Sequence, residues 1–195
     1  MGGDASGYCP SLDEGISGMS ACVLERINAM DRASFLSVFG ALYEHSPWIA
    51  GKAWDISHPF AFSASVYEEM KAVIAAATEE QKLRLVREHP ELARRAGVDL
   101  DLTKASQSEQ ASAGLDRLTP DEYAHFNAVN GAYAERFGMP FVICVRLSDK
   151  QHIMSEMERR LTHSPQEELV TALGEIDKIA ALRFSDVLEQ LEKSS

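Results

Sequence analysis

The chain has 195 residues, the length of one domain with a modest extension, and is 45% hydrophobic and 25% charged, as folded water-soluble chains are and disordered ones are not. A domain of this size buries roughly 70% of its unfolded surface, so its core needs neither disulfide nor metal. Acidic residues outnumber basic ones 30 to 19, a formal charge of −11; without a basic patch that field repels phosphate backbones and argues against nucleic acid as a partner.

Residues 1–25, rich in Gly, Ser and Asp, read as a flexible extension ahead of a single domain over 26–195. Gly2 to Ser6 fits the short, degenerate N-myristoylation pattern, but no basic cluster accompanies it. The start lacks the basic and apolar regions of a secretory signal, and the final Glu192-Lys193-Ser194-Ser195 is not a peroxisomal address, so a cytoplasmic location is the default expectation. Apolar runs are too short to span a bilayer, and no membrane association is expected. Cys9, Cys22 and Cys144 form no CxxC pair, a pattern that suits a reducing compartment.

Apolar residues recurring every three to four positions, with capping signals, predict helices at 30–44, 65–77, 79–88, 104–117, 120–137, 150–162 and 165–192. Ser65-x-x-Glu68, Thr78-x-x-Gln81, Thr119-Pro120-x-Glu122 and Ser164-Pro165-x-Glu167 read as capping boxes, two of them with Pro at the first helical position. Phe141-Val142-Ile143-Cys144-Val145 is strand-like but has no partner strand, so it is expected as an extended segment buried between helices. The fold class is all-α, a single-domain helical bundle with one short extended segment near 141–145.

There is no Gly-rich phosphate loop, HExxH, GxSxG or Cys/His cluster, so any catalysis uses ordinary side chains without a signalled cofactor. Three features stand out. Ser106, Glu109, Gln110 and Ala113 form one helical stripe, either a solvated edge or the hydrogen-bonding wall of a pocket. Arg183 shares a face with Ile176, Ala180 and Val187, so its guanidinium snorkels, pairs with an acid or meets an anionic ligand. His89, before Pro90, sits at a helix end as either a polar cap or a general acid–base group. Glu44, His45 and His58 carry no diagnostic metal spacing, and no metal site is expected.

Taken together and in order, Glu44-His45-Ser46-Pro47-Trp48, His89-Pro90-Glu91-Leu92, Ser106-x-x-Glu109-Gln110-x-x-Ala113-Gly114-Leu115, Asn130-x-x-Tyr133-x-x-x-Phe137-Gly138, Phe141-Val142-Ile143-Cys144 and Glu175-Ile176-x-Lys178-Ile179-Ala180-x-Leu182-Arg183 resemble the 2-oxo-4-hydroxy-4-carboxy-5-ureidoimidazoline (OHCU) decarboxylase family. Met139, where an aromatic is usual, and His58, where Arg is more often seen, depart from the pattern. The resemblance implies an all-α, homodimeric carboxy-lyase of urate degradation that makes (S)-allantoin and carbon dioxide without a cofactor. It implies catalytic roles for His89, Glu109 and Arg183, with His89 the proton donor. It further implies substrate contacts from Pro90, from Ser106, Gln107, Ser108, Glu109 and Gln110, and from Phe141, Val142, Ile143, Cys144 and Val145. Glu109 is expected to orient His89 or accept from the substrate hydroxyl, and Arg183 to offer its planar fork to a carboxylate or urea oxygen. The competing readings are a non-catalytic helical interaction module and a hydrolase of a related ureide.

Overall fold

The computed structural model describes residues 15–93 and 103–194, with side chains from Cys22 onward. Its elements are α1 (Gly15–Ala29), α2 (Arg32–Phe39), α3 (Trp48–Ser57), α4 (Ser63–Ala75), α5 (Glu79–Arg87), α6 (Lys104–Ser112), α7 (Pro120–Phe137), a 3-10 turn (Val145–Leu147), α8 (Lys150–Arg160) and α9 (Pro165–Lys193). No strand occurs among the described residues, as the all-α reading expects. The Gly2–Ser6 motif lies outside them.

Capping chemistry starts most of these helices where the sequence signals it. Thr78, Thr119 and Ser164 each accept from the backbone amide three residues on, while Gln81, Glu122 and Glu167 reach back to the cap. The box expected at Ser65 is displaced: α4 starts two residues earlier, and the Ser65 hydroxyl donates to the Phe62 carbonyl at 2.5 Å. Gly138 ends α7 at φ 64°, a left-handed geometry that costs glycine little. The helix expected over 104–117 stops at Ser112, and Gly114 at φ 75° turns the chain.

The helix expected over 30–44 spans only Arg32–Phe39, with residues 40–45 in turns, and two helices lie where none was expected. The extension expected over 1–25 gives way at Gly15 to α1, whose Val23 and Ile27 are buried in the main core against α9. Its Gly/Ser-rich start carries weak local signals, and tertiary packing overrides them. α3 begins after Pro47 without a side-chain cap, so it lacks the usual start signal. Its Ile49, Ala50 and Ala53 nevertheless pack into the core beside α2 and α4.

Buried side chains form two clusters. The larger joins α1 to α5 with α9; the smaller joins α7 and α8 with Leu92, Ala93 and Leu115. The extended stretch 141–145 runs between them and serves both: Phe141, Ile143 and Val145 enter the smaller cluster, Val142 and Cys144 the larger. That is the two-residue alternation of extended backbone. With no neighbouring strand, side chains meet its backbone groups. Arg160 Nη1 donates to the Val142 carbonyl at 2.8 Å, and the Cys144 amide donates to Glu175 Oε2 at 2.9 Å.

Arg160 and Glu168 are both almost wholly buried. The guanidinium grips the Glu168 carboxylate and lies 4.4 Å from the Phe141 ring centroid. Tyr133 donates its hydroxyl to the same carboxylate, and His163 Nδ1 meets it at 2.8 Å. A buried charge left without its partner is far more costly than an exposed one. Arg160→Met is therefore expected to lower unfolding free energy by about 3–5 kcal/mol, whereas Arg159→Ala, at an exposed pair with Glu156, costs under about 1 kcal/mol; urea denaturation of both variants checks the contrast.

Candidate functional site

The site lies at the seam between the two clusters. α5 ends at Arg87, and Pro90 turns the chain away, which leaves His89 just past the helix. Its backbone amide still donates to the Val86 carbonyl at 3.1 Å. The neighbouring Glu88 is held by the Ser46 hydroxyl and by Arg84 Nε, which fixes the end of α5. Beyond Pro90, Gln110 accepts from the Ala93 amide at 3.2 Å and Asn130 donates to the Leu92 carbonyl at 3.0 Å.

His89 is 6% exposed. Its Nδ1 lies 2.8 Å from the Leu85 carbonyl, which can only accept, so Nδ1 carries the proton and Nε2 of the neutral ring is an acceptor. Burial holds the imidazole pKa below its usual value; the Leu85 carbonyl and Glu44 push the other way without offsetting it.

Arg183 reaches this seam from α9. Its Nε and Nη2 donate to the two oxygens of Glu109 at 2.9 and 2.6 Å, a bidentate fork. Nη2 also donates to Glu44 Oε1 at 2.6 Å and to the Ser106 hydroxyl at 3.1 Å. Burial pushes the guanidinium pKa down, but Glu109 and Glu44 outweigh it and hold it above its ordinary value. Burial also pushes the Glu44 carboxyl up; Arg183 and Ser106 more than compensate, so Glu44 titrates below the usual carboxylate range.

Two buried side-chain atoms of this group have no hydrogen-bond partner among the described residues: His89 Nε2 and Arg183 Nη1. Both residues line one narrow cavity of about 30 Å3, walled also by Glu44, Pro90, Ser106, Glu109 and Gln110 and by Phe141, Val142, Ile143 and Val145. Glu109 and Arg183 also wall an outer cavity of about 460 Å3, so their ion pair separates the two. A buried polar atom left unpaired costs about 1–3 kcal/mol. Here an acceptor and a cationic donor are both left available to a ligand, which suits a small polar molecule.

A family profile described as OHCU decarboxylase matches residues 28–185. The chain belongs to the OHCU decarboxylase family. It is 41% identical over 168 residues to 2-oxo-4-hydroxy-4-carboxy-5-ureidoimidazoline decarboxylase of Haloferax volcanii, covering 86% of this chain and 97% of that one. It is 40% identical over 163 residues to the Mus musculus protein of the same name, covering 84% and 91%. Among solved structures it resembles an (S)-allantoin synthase crystal structure, with a TM-score of 0.67 and 26% identity. That match covers 84% of this chain and 53% of the other.

Against this decarboxylase family's expected site, the structure brings His89, Glu109 and Arg183 to one cavity with Pro90, Ser106, Gln110, Phe141, Val142, Ile143 and Val145. Gln107 and Ser108 point elsewhere: both are exposed, and Ser108 lines the outer cavity. Cys144 packs into the larger core, where burial raises its thiol pKa. Glu109 does not orient His89; the Leu85 carbonyl does, because it lies one turn back from the imidazole. The Arg183 fork is occupied by Glu109, leaving a single Nη1 for a ligand. Gln110 spends its amide on the His89–Ala93 turn. Glu44 is the member sequence reasoning left out of the site. Its signal is the carboxylate that opens Glu44-His45-Ser46-Pro47-Trp48, one of the stretches that carry the family resemblance. Of the considered metal ligands, Glu44 is engaged by Arg183, whereas His58 stacks on Trp54 with ring centroids 3.6 Å apart. No group of three or more His, Cys, Asp or Glu able to hold a metal occurs among the described residues.

The low His89 pKa ties stability to pH. Near neutral pH the imidazole is neutral folded and unfolded; as pH falls below its ordinary value of 6.5, the unfolded chain takes up the proton first. The stability present above pH 6.5 is thus lost progressively until pH passes the folded value. The urea midpoint is expected to fall on acidification from pH 7.5 to 5.5, and to fall less in His89→Gln; equal falls would contradict a buried neutral imidazole.

Proposed function

We propose that this chain decarboxylates 2-oxo-4-hydroxy-4-carboxy-5-ureidoimidazoline to (S)-allantoin and carbon dioxide. The observation that carries the reading is the pair of unpartnered atoms, His89 Nε2 and Arg183 Nη1, on one cavity. Family membership supplies the substrate class.

The substrate bears its carboxylate on a carbon that also carries a hydroxyl and adjoins a ring C=N. When that C–C bond breaks, its electron pair forms a C=C bond, the imine pair moves onto the ring nitrogen, which takes a proton from solvent, carbon dioxide leaves, and an enol-amine remains. Neutral His89 then accepts the enol's hydroxyl proton at Nε2 as the enol-amine ketonises. The resulting imidazolium is the acid that delivers a proton to the ureido-bearing carbon on one face, which fixes the product's hand. Arg183 Nη1 donates to oxygen on the substrate and orients it. The inner cavity, about 30 Å3, is far smaller than the outer one, so the reacting end of the substrate is the part placed beside His89. The ureido arm points toward the outer cavity, which shares Glu109 and Arg183 as walls.

No helix among the described residues is long and apolar enough to cross a membrane. We further propose a cytoplasmic location and, from the family resemblance, a homodimer, which light scattering on eluted protein tests.

Substrate generated in solution from urate gives racemic allantoin by spontaneous decay, so optical activity reports the enzyme. Wild type is expected to yield one hand with stoichiometric carbon dioxide, and His89→Ala to lose about 10²–10⁴-fold of that rate while keeping its helical circular dichroism. A folded, fully active His89→Ala would remove His89 from the mechanism. Ring-opened products without carbon dioxide would instead identify a ureide hydrolase.

A further inference from the structure

Glu44 is a buried carboxylate, 5% exposed, on a residue whose φ is 51°. A non-glycine side chain in the left-handed region costs of order 1 kcal/mol or more and persists where surrounding contacts hold it there. Those contacts are all polar. Oε1 accepts from Arg183 Nη2 at 2.6 Å and from the Ser106 hydroxyl, and Oε2 accepts from the Thr103 hydroxyl at 2.9 Å. Thr103 caps α6. One carboxylate thus ties the α2–α3 connection to the start of α6 and to α9, the elements that supply Ser106, Glu109 and Arg183.

Charge adds a second argument. Glu109 alone would neutralise Arg183, and Glu44 adds another formal negative charge beside the cavity. The charged groups acting on His89 are Glu88 on its own helix end, Glu44 from the α2–α3 connection and Arg183 from α9. Glu109 faces it only through its pair with Arg183. Of these, Arg183 opposes an imidazolium and Glu44 favours one.

We propose that Glu44 is a positioning residue for the decarboxylation: it locks Arg183 and Ser106 in place and stabilises the imidazolium that His89 becomes during turnover. The inference rests on the reading above, and it adds a group whose removal acts on the chemical step more than on substrate capture. It also explains why a strained, charged residue stands where glycine would relieve the backbone.

The test compares wild type with Glu44→Gln, which keeps the shape and removes the charge, and with Glu44→Asn, which is also neutral and better suited to the left-handed backbone. Folded variants, checked by circular dichroism, are expected to lose on the order of 10²-fold in kcat with KM changed far less. The acid limb of the kcat/KM profile, set by protonation of His89, moves to lower pH. Glu44→Asp, which restores the charge, recovers part of the rate and returns the limb toward wild type. If Glu44→Gln fails to fold, Glu44→Asn decides. A folded neutral variant with an unshifted acid limb and wild-type kcat overturns the inference. Failure of wild type to form (S)-allantoin overturns the proposed function instead, so the two failures are distinguishable.

Discussion

A single guanidinium, buried near the end of the chain, organises this molecule's chemistry. Arg183 could not be sequestered alone, because removing a cation from water costs more than packing returns. Glu109, Glu44 and the Ser106 hydroxyl meet it from two other parts of the chain. Its partners stand 74, 139 and 77 residues away in sequence, so the cavity is assembled only when the whole helical array is in place. Arg183 divides its donors: two nitrogens hold the architecture together, and the third stays open toward the cavity.

His89 complements that arrangement by opposite means. Its ring is fixed by a carbonyl of the helix it has just left, an arrangement that needs no second acidic residue. The tautomer so set leaves the Nε2 lone pair without a protein partner, and burial keeps the ring neutral. The imidazole and the guanidinium are thus fixed independently, each on a different element. That separation lets Glu109 serve Arg183 entirely.

Much of this was legible in the residues. Thr78, Thr119 and Ser164 announce their helices because a capping box is a local exchange of hydrogen bonds, readable within four residues. The isolated extended stretch at 141–145 could also be read, since β-branched residues between Pro140 and a polar turn have few other options. α1 and α3 escaped because their stability comes from Val23, Ile27, Ile49 and Ala53 meeting distant helices rather than from any local signal. Within the site, the types His89, Glu109 and Arg183 were identifiable, but their pairing was not. Which carboxylate faces which cation is a long-range fact, so nothing local ties Glu44 to Arg183, and the sequence alone puts Glu109 beside the imidazole. Gln107 and Ser108 differ from Ser106 and Gln110 only by rotation about the α6 axis, a distinction that depends on which way that helix is turned.

The way residues 141–145 divide their side chains between two cores has a consequence for what change the region can accept. Its register is pinned by Arg160 at one carbonyl and Glu175 at one amide, with no neighbouring strand along which it could slide. A swap of one aliphatic residue for another leaves that bookkeeping intact, whereas a single-residue insertion or deletion between Gly138 and Arg146 would invert every side chain's allegiance. With the change placed just before Phe141, Cys144 would then turn toward the smaller cluster and Phe141 toward the larger. This short connection is therefore permissive in composition and unforgiving in length, a constraint more usual in the interior of a β-sheet than in a bundle of helices.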